Sequence, residues 1–181
     1  MKKILLMLAL AACTACSNNE ETEGERYAAR NDAIVDGRLT GAAMHFLGRS
    51  TVTDGKGAAY TDESARFEFA DASADGNGRL IVYMHQTRFA AGMPAVEMRI
   101  PAIAYTGEGN TVSFSVESIV PEALIAAAGS YQPMERYRLT DVEGSINGII
   151  CRMRFVCAGE YKVEYEGALL NNEMIGTGGE E

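Results

Sequence analysis

The side chains with most chemistry to offer in this 181-residue chain are four cysteines, two histidines and twelve arginines. Cys151 and Cys157 lie six residues apart in a run that alternates apolar and charged residues, so both fall on one face of one strand. At about 3.3 Å per residue their Cα atoms are roughly 20 Å apart, against a disulfide limit of about 7 Å. They read as small core thiols. His45 and His85 make no ligand spacing with each other or with the cysteines, so each reads as an isolated strand residue and no metal is expected. There is no Gly-x-Ser-x-Gly elbow, no His-Glu-x-x-His and no phosphate-cradling glycine loop leading into a helix. With 25 acidic residues some carboxylate pair is always available, so pairs carry no argument for glycoside hydrolysis. The expectation is a protein without catalytic residues or cofactors.

The arginines offer anion recognition through paired N–H donors. To place them, the elements must be read first. Ala65, Phe67 and Phe69 alternate with Arg66 and Glu68; Val96, Met98 and Ile100 alternate with Glu97 and Arg99. The same period of two holds for Val112, Phe114 and Val116, and for Tyr161, Val163 and Tyr165. Alternation of this kind marks strands buried on one face. Arg79 to Phe89 reads as a strand with both faces partly covered, and Gly37 to Gly48 alternates poorly. A helix of about two turns is expected from Pro121 to Gly129, with proline at its first position, Glu122 at its positive end and Leu124 and Ile125 as packing residues. The rest reads as about eight antiparallel strands, hence an all-β barrel, with a β-sandwich as the alternative.

Asn147-Gly148 is a type I′ turn signal. A two-residue loop there pairs Ile146 with Ile149 and sets Glu143 against Arg152 and Asp141 against Arg154. The next turn, at Ala158-Gly159-Glu160, then places Phe155 beside Val163, Met153 beside Tyr165, Arg154 beside Glu164 and Arg152 beside Glu166. An outer charge ladder of Glu143–Arg152–Glu166 and Asp141–Arg154–Glu164 follows. Arg136 and Arg138 share the parity of Thr140, which faces inward in this register. Either a bulge turns them outward or they sit over the open end of the barrel. In the second case Arg136 and Arg138 hold an acidic head group while Met98, Met153, Phe155 and Phe114 contact an apolar tail. These six are the candidate ligand-binding residues; the competing reading is an interior filled by its own side chains.

The N-terminus carries chemistry of a different kind. Lys2 and Lys3 precede an apolar run from Ile4 to Ala12, then small residues up to Cys13 and Cys16. This is the pattern of a secretory signal, and the run is about half the roughly 20 residues that span a bilayer. The cysteine at its edge resembles the lipobox of bacterial lipoproteins, whose thiol carries diacylglycerol. Cys13 fits that consensus by letter. Cys16 leaves an apolar run of more usual length, and Ser17-Asn18-Asn19-Glu20-Glu21 after it resembles a surface-export tag, so Cys16 is taken as the lipidated residue. The resulting organisation is a signal peptide at 1–15, a lipidated cysteine and acidic tether at 16–34, a barrel domain at 35–170 and a frayed tail at 171–181. Without the signal, 14 basic residues stand against 25 acidic ones, a net charge of −11. Such a chain gains nothing from counterion release, which argues against nucleic acid as a partner.

The pieces come in a recognisable order. After the lipobox and tether come Gly37-Arg38-Leu39-Thr40-Gly41, Leu80-Ile81-Val82-Tyr83-Met84, Met98-Arg99-Ile100-Pro101-Ala102-Ile103, Gly144-Ser145-Ile146-Asn147-Gly148 and Tyr161-Lys162-Val163-Glu164-Tyr165-Glu166-Gly167. Residues 35–169 are similar in this to the calycin-like (lipocalin-like) domain of lipoproteins from gut Gram-negative bacteria. The resemblance implies an antiparallel calycin-type barrel, lipid-anchored at the outer membrane and exposed on the cell surface, and no known activity for most members. The chain has no Trp, so the tryptophan that closes one end of true lipocalins is missing and their ligand chemistry does not carry over. The functional expectation is a surface binding module for a small apolar or amphipathic ligand or a protein partner. The alternatives are a structural or interaction lipoprotein with a filled core, or an inhibitor-like module acting on an extracellular enzyme.

Overall fold

The alternating runs become strands that close on themselves. A computed structural model describes residues 32–74, 76–90 and 92–170. The signal segment, Cys13, Cys16, the tether up to residue 31 and the tail from residue 171 lie outside the described residues. A small hairpin, β1 (Ile34–Val35) and β2 (Arg38–Leu39), leads into β3 (Met44–Thr53), β4 (Ala59–Asp71), β5 (Arg79–Thr87), β6 (Val96–Glu108) and β7 (Thr111–Ile119). Then come β8 (Glu122–Ile125), β9 (Ser130–Pro133), a 3₁₀ turn (Glu135–Tyr137), β10 (Leu139–Asn147), β11 (Ile150–Cys157) and β12 (Tyr161–Leu169). The order β4-β3-β12-β11-β10-β7-β6-β5, with β5 pairing back onto β4, is a closed eight-stranded antiparallel barrel. It is consistent with a calycin-like architecture, and the sandwich alternative falls.

The expected helix is replaced by a hairpin. β8 pairs Met98 and Arg99 of β6 through Ala123 and Glu122, and β9 pairs β8. Leu124 and Ile125 are exposed rather than packed. One turn does form: the N–H groups of Ala128 and Gly129 both donate to the Ile125 carbonyl, and Gly129 has φ +62°. A helix that short gains few hydrogen bonds for its costly nucleus, whereas the free edge of β6 offers a ladder. Proline, acid and glycine therefore punctuate a hairpin here.

The β11–β12 register is as expected, from Cys157↔Tyr161 through Phe155↔Val163 and Met153↔Tyr165 to Arg152↔Glu166. The β10–β11 register is displaced by two: Asn147 pairs with Ile150 and Ile146 with Cys151, so the loop is Gly148-Ile149. Gly148, at φ +56°, occupies the first central position, as in a type II′ turn. Asn147 remains in the strand. From Val142 onward the even displacement keeps each side chain on its expected face, and Arg152 and Arg154 point outward.

Inside, the candidate inward residues pack ring against ring. Phe67 stacks on Tyr165 with centroids 3.9 Å apart, Phe46 meets Phe69 edge-on at 5.5 Å, and Phe69 leans on Phe114 at 5.9 Å. Phe89 touches both Phe155 and Tyr137. For eight strands, side chains of this size fill the interior. Ala33 and Ile34 belong to this core, which places its start just before the expected domain edge.

Candidate functional site

Of the residues singled out for ligand binding, four are buried and two are not. Met98, Met153, Phe155 and Phe114 are all within 5% of full burial. Arg136 and Arg138 lie in and just after the 3₁₀ turn and are exposed. The pairing of β10 with β11 shifts between Thr140 and Glu143, where Asp141 takes φ +51°. This bulge reverses the parity before it, so Leu139 and not Thr140 points inward. The barrel end carries no arginine mouth. Tyr137, between the two arginines, turns toward Phe89. Arg136 lies over the Tyr137 ring at 4.6 Å, and Arg138 pairs with Glu135 at 2.5 Å and reaches Ser118. Asp141, on the bulge, drops out of the expected ladder.

The outer face of the barrel is more shaped than its interior. An open groove of about 1370 Å³ runs across β3, β12, β11, β10 and β7 and is edged by Glu63 of β4 and by Ala104, Tyr105 and Thr106 of β6. Its origin lies in residues without side chains. Gly48 on β3 and Gly167 on β12 are paired across the sheet, and a Cβ on Gly48 would stand 2.0 Å from the Glu166 carbonyl oxygen. Gly144 on β10 packs directly on the Phe114 ring, which a Cβ would meet at 2.2 Å. A register shift between Gly48 and Ser50 bends β3 against β4 at the same height. With nothing to hold the wall off the core, the sheet comes inward there, and Gly48 and Gly144 are part of the groove lining with Phe114, Met153 and Tyr165 beneath.

Two rows of side chains cross this groove along the hydrogen-bonding direction. One runs Arg49, Glu166, Arg152, Ser145, Ser113; the next runs Thr51, Glu164, Arg154, Glu143, Ser115. Arg152 Nε bonds Glu166 at 2.7 Å, Arg154 Nη2 bonds Glu143 at 2.6 Å, and Arg49 Nε bonds Glu63 at 2.9 Å. The expected ladder is therefore present with exchanged partners: Arg154–Glu143 replaces both Arg152–Glu143 and Arg154–Asp141. All six of these charged side chains are more than half exposed.

A second cluster lies elsewhere on the outer face, and the sequence reading missed it. His45 and Glu68 are register partners on β3 and β4, and His85 on β5 lies diagonally across from Glu68. His85 Nε2 is 3.0 Å from Glu68 Oε2, His45 Nδ1 is 3.6 Å from the same oxygen, and His85 Nδ1 is 2.6 Å from Glu97 Oε1. The reading of the two histidines as isolated strand residues is corrected: forty residues of sequence separation collapse to two strand spacings, and both rings meet Glu68. The β8–β9 hairpin walls this corner, with Tyr131 under the Arg99 guanidinium at 4.4 Å and Arg99 paired to Glu122 at 2.6 Å. Burial, then the Glu97 carboxylate, pushes the Tyr131 phenol up. A signal existed in the sequence, since His45, Glu68, His85 and Glu97 all fall on the outer parity of their strands, but only pairing makes it readable.

Cys151 and Cys157 are free and buried, as the spacing required. Burial pushes the Cys157 thiol up to about 12 and the Cys151 thiol further still. Comparison with family models, with curated proteins and with solved structures finds no match.

Proposed function

We propose that this protein is a non-enzymatic binding module, held at the outer membrane by acyl chains on Cys16, which takes a protein partner along the polar groove of its barrel. Membership of the calycin-like lipoprotein group is part of the same proposal. It rests on the barrel topology together with the lipobox and strand motifs. The observation that carries the reading is the contrast between the two faces of one wall. The inner side of this wall is closed by Phe114 of β7, which covers Gly144 of β10, by Met153 and Phe155 of β11 and by Tyr165 of β12. The outer side is a groove with alternating charge and a fringe of hydroxyls.

A surface of this kind suits an extended polar segment of mixed charge. The two rows stand two residues, about 6.6 Å, apart along the strands, the spacing at which an extended peptide presents alternate side chains. Exposed ion pairs contribute only about 0–1 kcal/mol each, so Arg152 and Arg154 exchange their own carboxylates for a partner's at little cost. Complementary charge then sets partner choice and approach rate more than raw affinity. The filled interior disfavours the apolar-ligand alternative and leaves the inhibitor-like reading as one form of protein binding.

The test is site-specific photo-crosslinking in the native host. A photoreactive residue replacing Ser145 in the groove should give a discrete crosslinked protein. The same residue at Lys56, in the β3–β4 turn, should not. Arg152→Glu with Arg154→Glu should abolish the Ser145 product. Equal products from both positions, or a Ser145 product unaffected by charge reversal, would reject the groove.

A further inference from the structure

We propose that His45, Glu68 and His85 form a binding site for a divalent transition-metal ion of the zinc type, with Glu97 orienting His85. The site is separate from the groove: it lies on β3, β4 and β5, and no residue of it lines the groove.

The geometry comes first. Imidazole nitrogen and carboxylate oxygen are the donor atoms zinc takes, at bond lengths of about 2.0–2.2 Å, which puts neighbouring donors of a tetrahedron about 3.3 Å apart. Here the Glu68 oxygen stands 3.0 Å from one histidine and 3.6 Å from the other, and all three donors lie within 4.8 Å of one another. Three protein ligands with a fourth position open to solvent is the arrangement of reactive zinc sites, and the two imidazoles are each about a third exposed.

The supporting residues make the same argument independently. His85 meets a carboxylate with both ring nitrogens. Two such hydrogen bonds need two ring protons, or one proton on Nδ1 and one cation at Nε2. Glu97 is held for the first role: its other oxygen accepts from the Gln86 main-chain N–H at 3.1 Å and from the Gln86 side chain at 3.3 Å. That main-chain N–H is aimed by a β-bulge between Met84 and Thr87, at which Gln86, a residue with a side chain, adopts φ +49°. Backbone strain of this kind persists where the surroundings over-determine it, and bulges re-aim side chains beside functional sites. A carboxylate on the far nitrogen of a ligating histidine fixes its ring and raises its basicity. Of the nearby cations, Arg99 is already engaged by Glu122, and the carboxylates Glu68 and Glu97 outnumber Arg66, the register partner of His85, so the corner keeps negative charge to offset a dication.

The chain contains only two histidines, which makes the test direct. Tag-free protein is stripped with EDTA and titrated with Zn²⁺ by calorimetry, with Mg²⁺ as the control. One Zn²⁺ should bind per chain and Mg²⁺ should not. Glu97→Gln should weaken Zn²⁺ roughly 10- to 100-fold, and His45→Ala, Glu68→Gln and His85→Ala should each weaken it more than that. Ring ¹H–¹⁵N spectra of the unaltered protein give a readout that no variant's folding affects: stoichiometric Zn²⁺ should shift both imidazoles. Absence of one-to-one binding, ring signals unmoved by Zn²⁺, or folded His85→Ala and Glu68→Gln variants that bind like the parent would each overturn the site.

Discussion

Glu143 and Arg154 face each other across β10 and β11, with a guanidinium nitrogen 2.6 Å from the carboxylate on the wall of the groove. The side chains are 53% and 67% exposed, which makes the pair weak as a stabilising contact and available as a recognition element. A double-mutant cycle with Glu143→Ala and Arg154→Ala, read by urea denaturation, should give a coupling below about 1 kcal/mol. A coupling several times larger would mean the pair holds register and is not free to exchange partners.

The groove depends on glycines that leave no room for a methyl group. Gly48→Ala should destabilise the barrel by about 3 kcal/mol or more, because its Cβ would stand 2.0 Å from main-chain oxygen that cannot move aside. Gly92→Ala, with no heavy atom within 4 Å of its Cβ, is the matched control and should be close to neutral. Thermal melts of the two variants check this; similar melting temperatures would contradict the account of why the wall comes inward.

Tyr165 stacks its ring on Phe67, yet its hydroxyl is buried without a hydrogen-bond partner among the described residues. Burial pushes this phenol up, the buried Cys151 nearby adds to that, and the Phe67 main-chain N–H, near the hydroxyl but outside hydrogen-bond geometry, acts the other way. An unsatisfied buried polar group costs about 1–3 kcal/mol. Tyr165→Phe keeps the stacking and removes the orphan, so it should be neutral or stabilising in denaturant titrations. A loss of more than about 1 kcal/mol would show that the hydroxyl is satisfied.

The thiols supply a pH dependence. Cys157 titrates at about 12 in the folded chain against 9.0 for an unperturbed thiol, and Cys151 is raised too. Above about pH 9 the unfolded chain releases these protons while the folded chain keeps them, so stability falls as pH rises toward the folded values. Each thiol steepens that fall by about 1.4 kcal/mol per pH unit in this window. Cys151→Ala with Cys157→Ala should flatten the dependence between roughly pH 9 and 10.5. Iodoacetamide should label neither thiol in the native protein near neutral pH and both after denaturation; rapid native labelling would place them at the surface.

Much of the barrel was legible because alternation reports burial on one face, and that signal is local. Phe67, Met98, Phe114, Phe155 and Tyr165 all point inward as their parity required. The β11–β12 ladder was readable for the same reason. What escaped was decided by single residues or by tertiary contact. The turn sits at Gly148-Ile149 because a type II′ loop needs positive φ at its first central position only, so Asn147 can stay in the strand. The bulge around Asp141 has no composition signature, and together with the 3₁₀ turn before β10 it leaves Arg136 and Arg138 outside. Pro121, Glu122 and Gly129 suit a helix and a hairpin equally until β6 presents an edge. The His45–Glu68–His85 cluster depends on the registers of β3 with β4 and β4 with β5, which no local pattern encodes.

The central claim is that this barrel binds on its outer face and not within. Native mass spectrometry of the protein purified from its own host tests it most directly. The expected spectrum shows the mass of the lipid-modified polypeptide, with or without a bound protein, and no further small molecule. A co-purifying mass of lipid size, retained after Arg152→Glu with Arg154→Glu has disabled the groove, would place a ligand inside the barrel and contradict it.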